Sequence, residues 1–271
     1  MAQGRLDQAQ RALESVASEP AAHRARVMLG RLLIRRGRDA DARQPLMVLI
    51  QSFNDGSIGE RDAEGLTYVG MAAAMLESPH DANDAFVGAS RIDATRVETQ
   101  LEWAELFMDH YDAGHAEESV RAALEANPNS ARGHLLAARI RLDQALDFNG
   151  AQEELDRALA VNPNLVGAHV TLAGIAVRDM DLDAAEQHLG RALAIDGNDL
   201  EALSVRAAIR FLRGDDRGYR AAIGEVLQRN PRYSEAYTII GEYADWEHRY
   251  PQIVEMAREA LRLDPEDALA H

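Results

Sequence analysis

Any chemistry in this 271-residue chain would have to come from nine histidines, paired carboxylates and arginines, because it has neither cysteine nor lysine. His134, His169, Tyr237 and His271 stand in equivalent positions, the first three each four residues before a small residue (Ala138, Ala173, Gly241). Side chains so placed line up along a stack of helices. They do not converge on an ion, whose ligand atoms must lie about 2 Å from it. We expect packing roles for them, and a surface pair in His110 and His115, which have no third ligand beside them. Asp215-Asp216 and Glu117-Glu118 are neighbours, and neighbours on a helix point in different directions. They read as caps and solvated faces rather than an acid–base pair. Without lysine there is no phosphate loop ending in Gly-Lys, no Schiff base and no kinase-type lysine. Neither a Gly-x-Ser-x-Gly elbow nor a glycine-rich dinucleotide fingerprint occurs. The expectation is no catalytic, cofactor-binding or metal residue, no cofactor, and no enzyme activity within this chain.

Charge narrows the partners. The formal net charge is −16. Residues 1–53 hold nine Arg against Asp7, Glu14, Glu19, Asp39 and Asp41, or +4, which leaves −20 for the remainder. An acidic body opposes binding to nucleic acid or to anionic membrane, since phosphates need cations opposite them. There is no apolar run of eighteen residues, so membrane insertion is not expected. No secretory leader is visible at the N-terminus. All-arginine basic usage reads as a GC-rich coding bias and so a bacterial source; the compartment stays open, a soluble protein in the cytoplasm or at the envelope as part of a longer chain.

The elements that would carry these residues are helices in pairs. From Asn162 to Asp199 two amphipathic patterns are separated by a short polar break. Ala173, Ala185 and Ala192 are the small members; Leu172, Leu182, Leu189 and Ile195 add bulk. The unit recurs. Small residues in successive first helices fall at Gly30, Gly70, Ala104, Ala138, Ala173, Ala207 and Gly241, spaced 40, 34, 34, 35, 34 and 34. Closing turns fall at Pro128, Pro163, Gly197, Pro231 and Pro265, spaced 35, 34, 34 and 34. A third ladder (Ala151, Leu155, Ala158; Ala185, Leu189, Ala192; and so on) keeps the same period. Helix pairs at 34 residues are the mark of the tetratricopeptide repeat, and over nearly its whole length the chain resembles such an array. The resemblance implies an all-α, right-handed superhelical solenoid of stacked antiparallel helix pairs with no sheet. One pair cannot bury its own apolar faces, so neighbours must cover them.

On this ruler residues 1–271 form one solenoid. A half repeat (1–19) is followed by repeats at 20–54, 55–94, 95–128, 129–163, 164–197, 198–231 and 232–265, and by the start of a truncated one at 266–271. Both ends therefore read as cut, and exposed half repeats are an expected route to self-association. Ser130, Asn164, Asp199 and Ser234 are placed to cap first helices, and Asp181 and Asp215 second helices. Pro45 is expected to disturb its helix. The stretch Asn54–Gly59, which accounts for the 40-residue interval, reads as a flexible insertion.

The resemblance further implies that first helices line a concave groove. Counting from the small residues, that groove would present Arg24, Arg31 and Arg35 at a cationic mouth. Met71, Met75, Glu105, Met108, Arg132 and Arg139 would follow, then a nearly bare stretch of Val170, Gly174 and Arg178. Phe211, Glu242 and Trp246 would stand toward an acidic exit. Methionine suits adaptable peptide contacts. The family's carboxylate clamp uses Lys and Asn at groove positions, and neither occurs among these residues. The expected function is a noncatalytic protein–protein interaction scaffold holding a peptide, a helix or another domain of the same chain. The alternative is an accessory region of a larger bacterial enzyme. RVETQLEWAELF, NPNLVGAHVTLAGIAVRDMD and EYADWEHRY are similar to repeat regions that continue into a zinc-peptidase-like domain.

Overall fold

The computed structural model describes residues 5–110, 113–246 and 250–265, and among them every regular element is a helix. In chain order these are α1 (Leu6–Ala17), α2 (His23–Arg35), α3 (Asp39–Asn54), α4 (Ala63–Met75) and α5 (Pro79–Ile92). Next come α6 (Val97–His110), α7 (Ala113–Ala126), α8 (Ala131–Ala145), α9 (Phe148–Val161) and α10 (Val166–Arg178). The last five are α11 (Leu182–Ile195), α12 (Leu200–Leu212), α13 (Asp216–Arg229), α14 (Glu235–Trp246) and α15 (Tyr250–Leu263). First helices α4, α6, α8, α10, α12 and α14 begin 34 or 35 residues apart, at 63, 97, 131, 166, 200 and 235. Each packs on the second helix that follows it.

The chain divides into two compact units. An N-terminal one comprises Leu6–Ile34 and Arg38–Pro163; the other comprises the described residues from Asn164 onward with Arg5 and Arg35–Gly37. In the N-terminal unit one core gathers Val27, Leu33, Leu46, Leu49, Tyr68 and Phe86, and a second gathers Leu101, Phe107, Val120, Leu136 and Ile140. In the C-terminal unit Leu189, Leu203, Ile209, Val226 and Ile240 are among the buried residues of a single cluster. Each buried Leu or Ile stabilises the stack by roughly 1.5–3 kcal/mol.

Small residues let the paired helices approach. A Cβ on Gly70 would stand 2.6 Å from the Phe86 ring, and one on Gly30 2.6 Å from Leu46. Ala104, Ala138, Ala173 and Ala207, at the same register, are fully buried. Short side chains start the helices. Ser130 accepts from the Gly133 amide (3.1 Å), Asp181 from Ala184 (3.0 Å), and Asp199 and Asp215 from Ala202 and Gly218 (both 2.9 Å). Asp62 and Asp147 do the same for Gly65 and Gly150. Asn164 does not act this way: Leu165 is the cap residue of α10, with no side-chain bond. Ser234 meets its helix through its carbonyl, which accepts from Tyr237 (2.8 Å).

Two expectations change. α3 runs unbroken through Pro45, whose ring is buried; packing there outweighs the lost donor. The Asn54–Gly59 insertion is an anchored turn. Asp55 accepts from the Ser57 amide (2.9 Å), Ile58 donates to the Ser52 carbonyl (2.8 Å), and the Ile58 side chain is 1% exposed. A buried isoleucine holds what composition alone reads as loose.

Candidate protein-interaction face

The first helices of the N-terminal unit meet through an ionic lattice centred on Glu102, whose side chain is only 5% exposed. Arg31 reaches it from α2. Arg132 reaches it from α8 at 2.6 Å and also holds Glu105 at 2.6 Å. Burial works against the charge of Arg132, but the Glu105 and Glu102 carboxylates outweigh it and hold its proton more tightly than usual. Nearby, Thr67 and Thr99 share a buried hydroxyl contact of 2.6 Å, and Arg96 bridges Glu64 (3.2 Å) and Glu98 (3.7 Å). Glu64 also accepts from the Tyr68 hydroxyl at 2.9 Å. Burial, with that bond behind it, pushes the Tyr68 phenol up to about 12. Asp109 is raised by burial and by Glu105, against His110 and Arg139.

The residues singled out in sequence fall into three groups. Arg24 and Glu242 are exposed, while Met75, Met108 and Arg139 are half-buried. Arg31, Glu105 and Arg132 are drawn into the lattice, so Arg31, expected at an open cationic mouth, already holds a carboxylate of its own chain. In the C-terminal unit Arg35 pairs likewise with Asp196 (2.7 Å), and Arg178 with its neighbour Asp179 (2.8 Å). Met71 and Val170 are buried by adjoining helices, at 4% and 2% exposure. Phe211 turns toward the second helix of its own pair and meets the Tyr219 ring edge-on at 5.6 Å. Gly174 is not bare: the Tyr243 hydroxyl lies 3.0 Å from where its Cβ would be. Burial, then Glu201 and Glu242, keeps that phenol protonated well beyond its usual range. The Trp246 side chain lies outside the described residues.

Glu102 is the residue that counting from the small markers missed. The signal was present: its register holds Met28, Tyr68, Leu136, Thr171, Val205 and Ile239 in the other repeats. A carboxylate at a mostly apolar register needs cations, and the lattice supplies two.

Among the described histidines, His134 and His169 have structural surroundings, while His271 lies outside the described residues. His134 faces the Glu154 carboxylate at Nδ1 (2.7 Å) and the Pro128 carbonyl at Nε2 (2.9 Å); His169 lies beside His188, ring centres 6.4 Å apart. Among the described residues no group of three or more His, Asp or Glu is placed to hold a metal ion. No described helix is long and apolar enough to cross a membrane.

Residues 1–57 match the tetratricopeptide repeat family model. A chain in the crystal structure of the APC/C hetero-tetramer Cut9–Hcn1 superposes with a TM-score of 0.72 at 14% identity. The match covers 99% of this chain and 52% of that one, so the present chain spans about half its length. The fold is that of a tetratricopeptide-repeat array. A tetratricopeptide repeat protein from Parabacteroides merdae is similar over 92% of the array and 95% of its own length (TM-score 0.60, 14% identity). A thermophilic tetratricopeptide protein of Thermus thermophilus is similar over 67% and 98% (TM-score 0.57, 17% identity). At these identities the likeness is one of fold. No curated protein sequence matches the array. Solenoids of this kind typically present extended surfaces for protein partners.

Proposed function

We propose that the chain is a noncatalytic scaffold whose first helices α2, α6 and α8 hold a polypeptide segment of a partner or of a neighbouring domain. The observation that carries this reading is the lattice at Glu102. It clamps two guanidiniums that keep 40% (Arg31) and 32% (Arg132) of their side-chain surface exposed. A free surface arginine loses about 2 kcal/mol of rotamer entropy when immobilised. Here that ordering precedes binding, so an incoming carbonyl or carboxylate meets fixed donors. Arg31, Arg132, Glu102 and Glu105 sum to zero charge, which favours a polar, carbonyl-rich segment over a strongly acidic one. Half-buried Met108 of α6, with Met75 of the intervening α4, adds adaptable apolar contact.

Selection of peptides from an unbiased display library on the intact chain tests this reading. Selected peptides should bind Arg31→Ala at least about tenfold more weakly, since one charge-assisted bond contributes about 1.5–3 kcal/mol, and should bind Met108→Ala more weakly through lost apolar contact. Binders indifferent to both changes would refute it.

A further inference from the structure

A groove on the second-helix side of the N-terminal unit takes no part in the face described above. Its walls are α3 and α5, its floor is α4, and it encloses about 640 Å³, within the range of ligand-binding clefts. Met47, Ile50 and Phe53 line one wall as a single stripe of α3. Leu66, Val69, Ala73 and Leu76 form the floor. The far wall is flattened by Gly88, where a Cβ would meet only Leu66, at 3.4 Å. Phe53 stands 37% exposed at the edge.

The repeat register shows why the groove is open here. Val69 and Ala73 correspond to Trp103 and Phe107 one repeat later, and to Ala137 and Arg141 two repeats later. In α6 the two rings stack at 5.3 Å, and Trp103 donates to Asn83 of α5 at 3.0 Å, filling the space. In α8, Arg141 pairs with Asp147 (3.0 Å) and Glu154 (3.7 Å), all three lining the equivalent hollow. Only small or short apolar groups occupy these two positions between α3 and α5.

We infer that this groove docks an amphipathic helix of a partner protein that carries basic residues beside its apolar stripe. The floor stripe runs from 66 to 76, about 15 Å or three helical turns, and two flanking helices give the shape that receives a third. Glu60, Asp81 and Asp84 line the groove against the single cation Arg43, so the complement is basic.

The test uses the intact chain and three synthetic fluorescent helices, read by anisotropy. All three share composition apart from their flanks. One has a Leu/Met stripe at i, i+3, i+7 and i+10 flanked by Arg, one the same stripe flanked by Glu, and one is an Arg-flanked scramble. The Arg-flanked helix should bind roughly tenfold more tightly than the others. Gly88→Met should abolish binding by filling the groove. Asp81→Asn with Asp84→Asn, both exposed, should remove the preference for Arg without disturbing the fold. Arg31→Ala, which bears on the first-helix face, should leave this binding unchanged. Equal binding of all three helices, no binding, or indifference to both groove variants would overturn the inference. So would concentration-dependent dimerisation abolished by Phe53→Ser, because the occupant would then be a second copy of the chain.

Discussion

Arg132 and Glu102 join neighbouring first helices: the α8 guanidinium donates to the α6 carboxylate at 2.6 Å, on a residue otherwise shut away from water. The pair holds three helices in relation, because Glu102 also receives Arg31 from α2.

Glu102→Gln should leave both arginines facing a neutral amide. Loss of a buried partner costs about 3–5 kcal/mol, and the half-open arginines lower this to about 1–3 kcal/mol through solvent screening. Glu105→Gln, at a more exposed position, should cost under about 1 kcal/mol. Urea midpoints of the two variants check the ranking; equal losses would remove Glu102 from the centre of the lattice.

Gly70 and Gly88 both lie inside helices, yet alanine should act oppositely at the two. Alanine is favoured over glycine by about 1 kcal/mol within a helix. At Gly88 that gain should appear nearly whole. At Gly70 the new methyl meets the Phe86 ring at 2.6 Å, and overpacking of about 1–3 kcal/mol should outweigh it. Thermal melts of the two variants, with Phe86→Leu added to the second as rescue, decide the point.

Ser130→Ala removes the acceptor for the Gly133 amide and should destabilise the chain by about 1 kcal/mol. Ser130→Asp should recover most of that. A recovery of nothing would mean that the buried Ser130 acts through packing instead.

Asp199 has a pKa raised in the fold, chiefly by burial and then by Glu201 and Asp196, against its bond from Ala202 and the charge of Arg35. For a carboxylate raised above its unfolded value, the folded state binds the proton more tightly. The penalty on stability is therefore full above the folded pKa and fades as pH falls toward the unfolded value near 4. Asp199→Asn, which still caps α12, should raise stability at pH 7 by no more than about 1 kcal/mol. It should also flatten that part of the stability–pH curve. A steeper curve would contradict the assignment.

Sequence carried the helices well, because spacing is a one-dimensional property. Thirty-four-residue intervals, apolar stripes and short polar caps all lie along the chain, so the pairs could be read from Gly70, Ala104 and Ala138 alone. The site was legible only as a set of positions. That Arg31 and Glu102 would meet, 71 residues apart, depends on how close alternate first helices come, and no period states that distance. Tyr243 crossing to Gly174 is hidden for the same reason. Asn164 misled because α10 starts one residue later than its side chain would suggest. The groove over Val69 and Ala73 was hidden in plain residues, since what matters there is the absence of the Trp103 and Phe107 rings found one layer on.

The Glu102 lattice also bears on how the chain finds its order during folding. Interfaces of alanine and leucine repeated every 34 residues are nearly interchangeable, so a newly made layer could stack on the wrong neighbour and still cover its oil. A buried acid that demands one arginine from the layer after it and another from two layers before is an address. A mis-stacked chain would strand that acid in a dry place, and the error would undo itself.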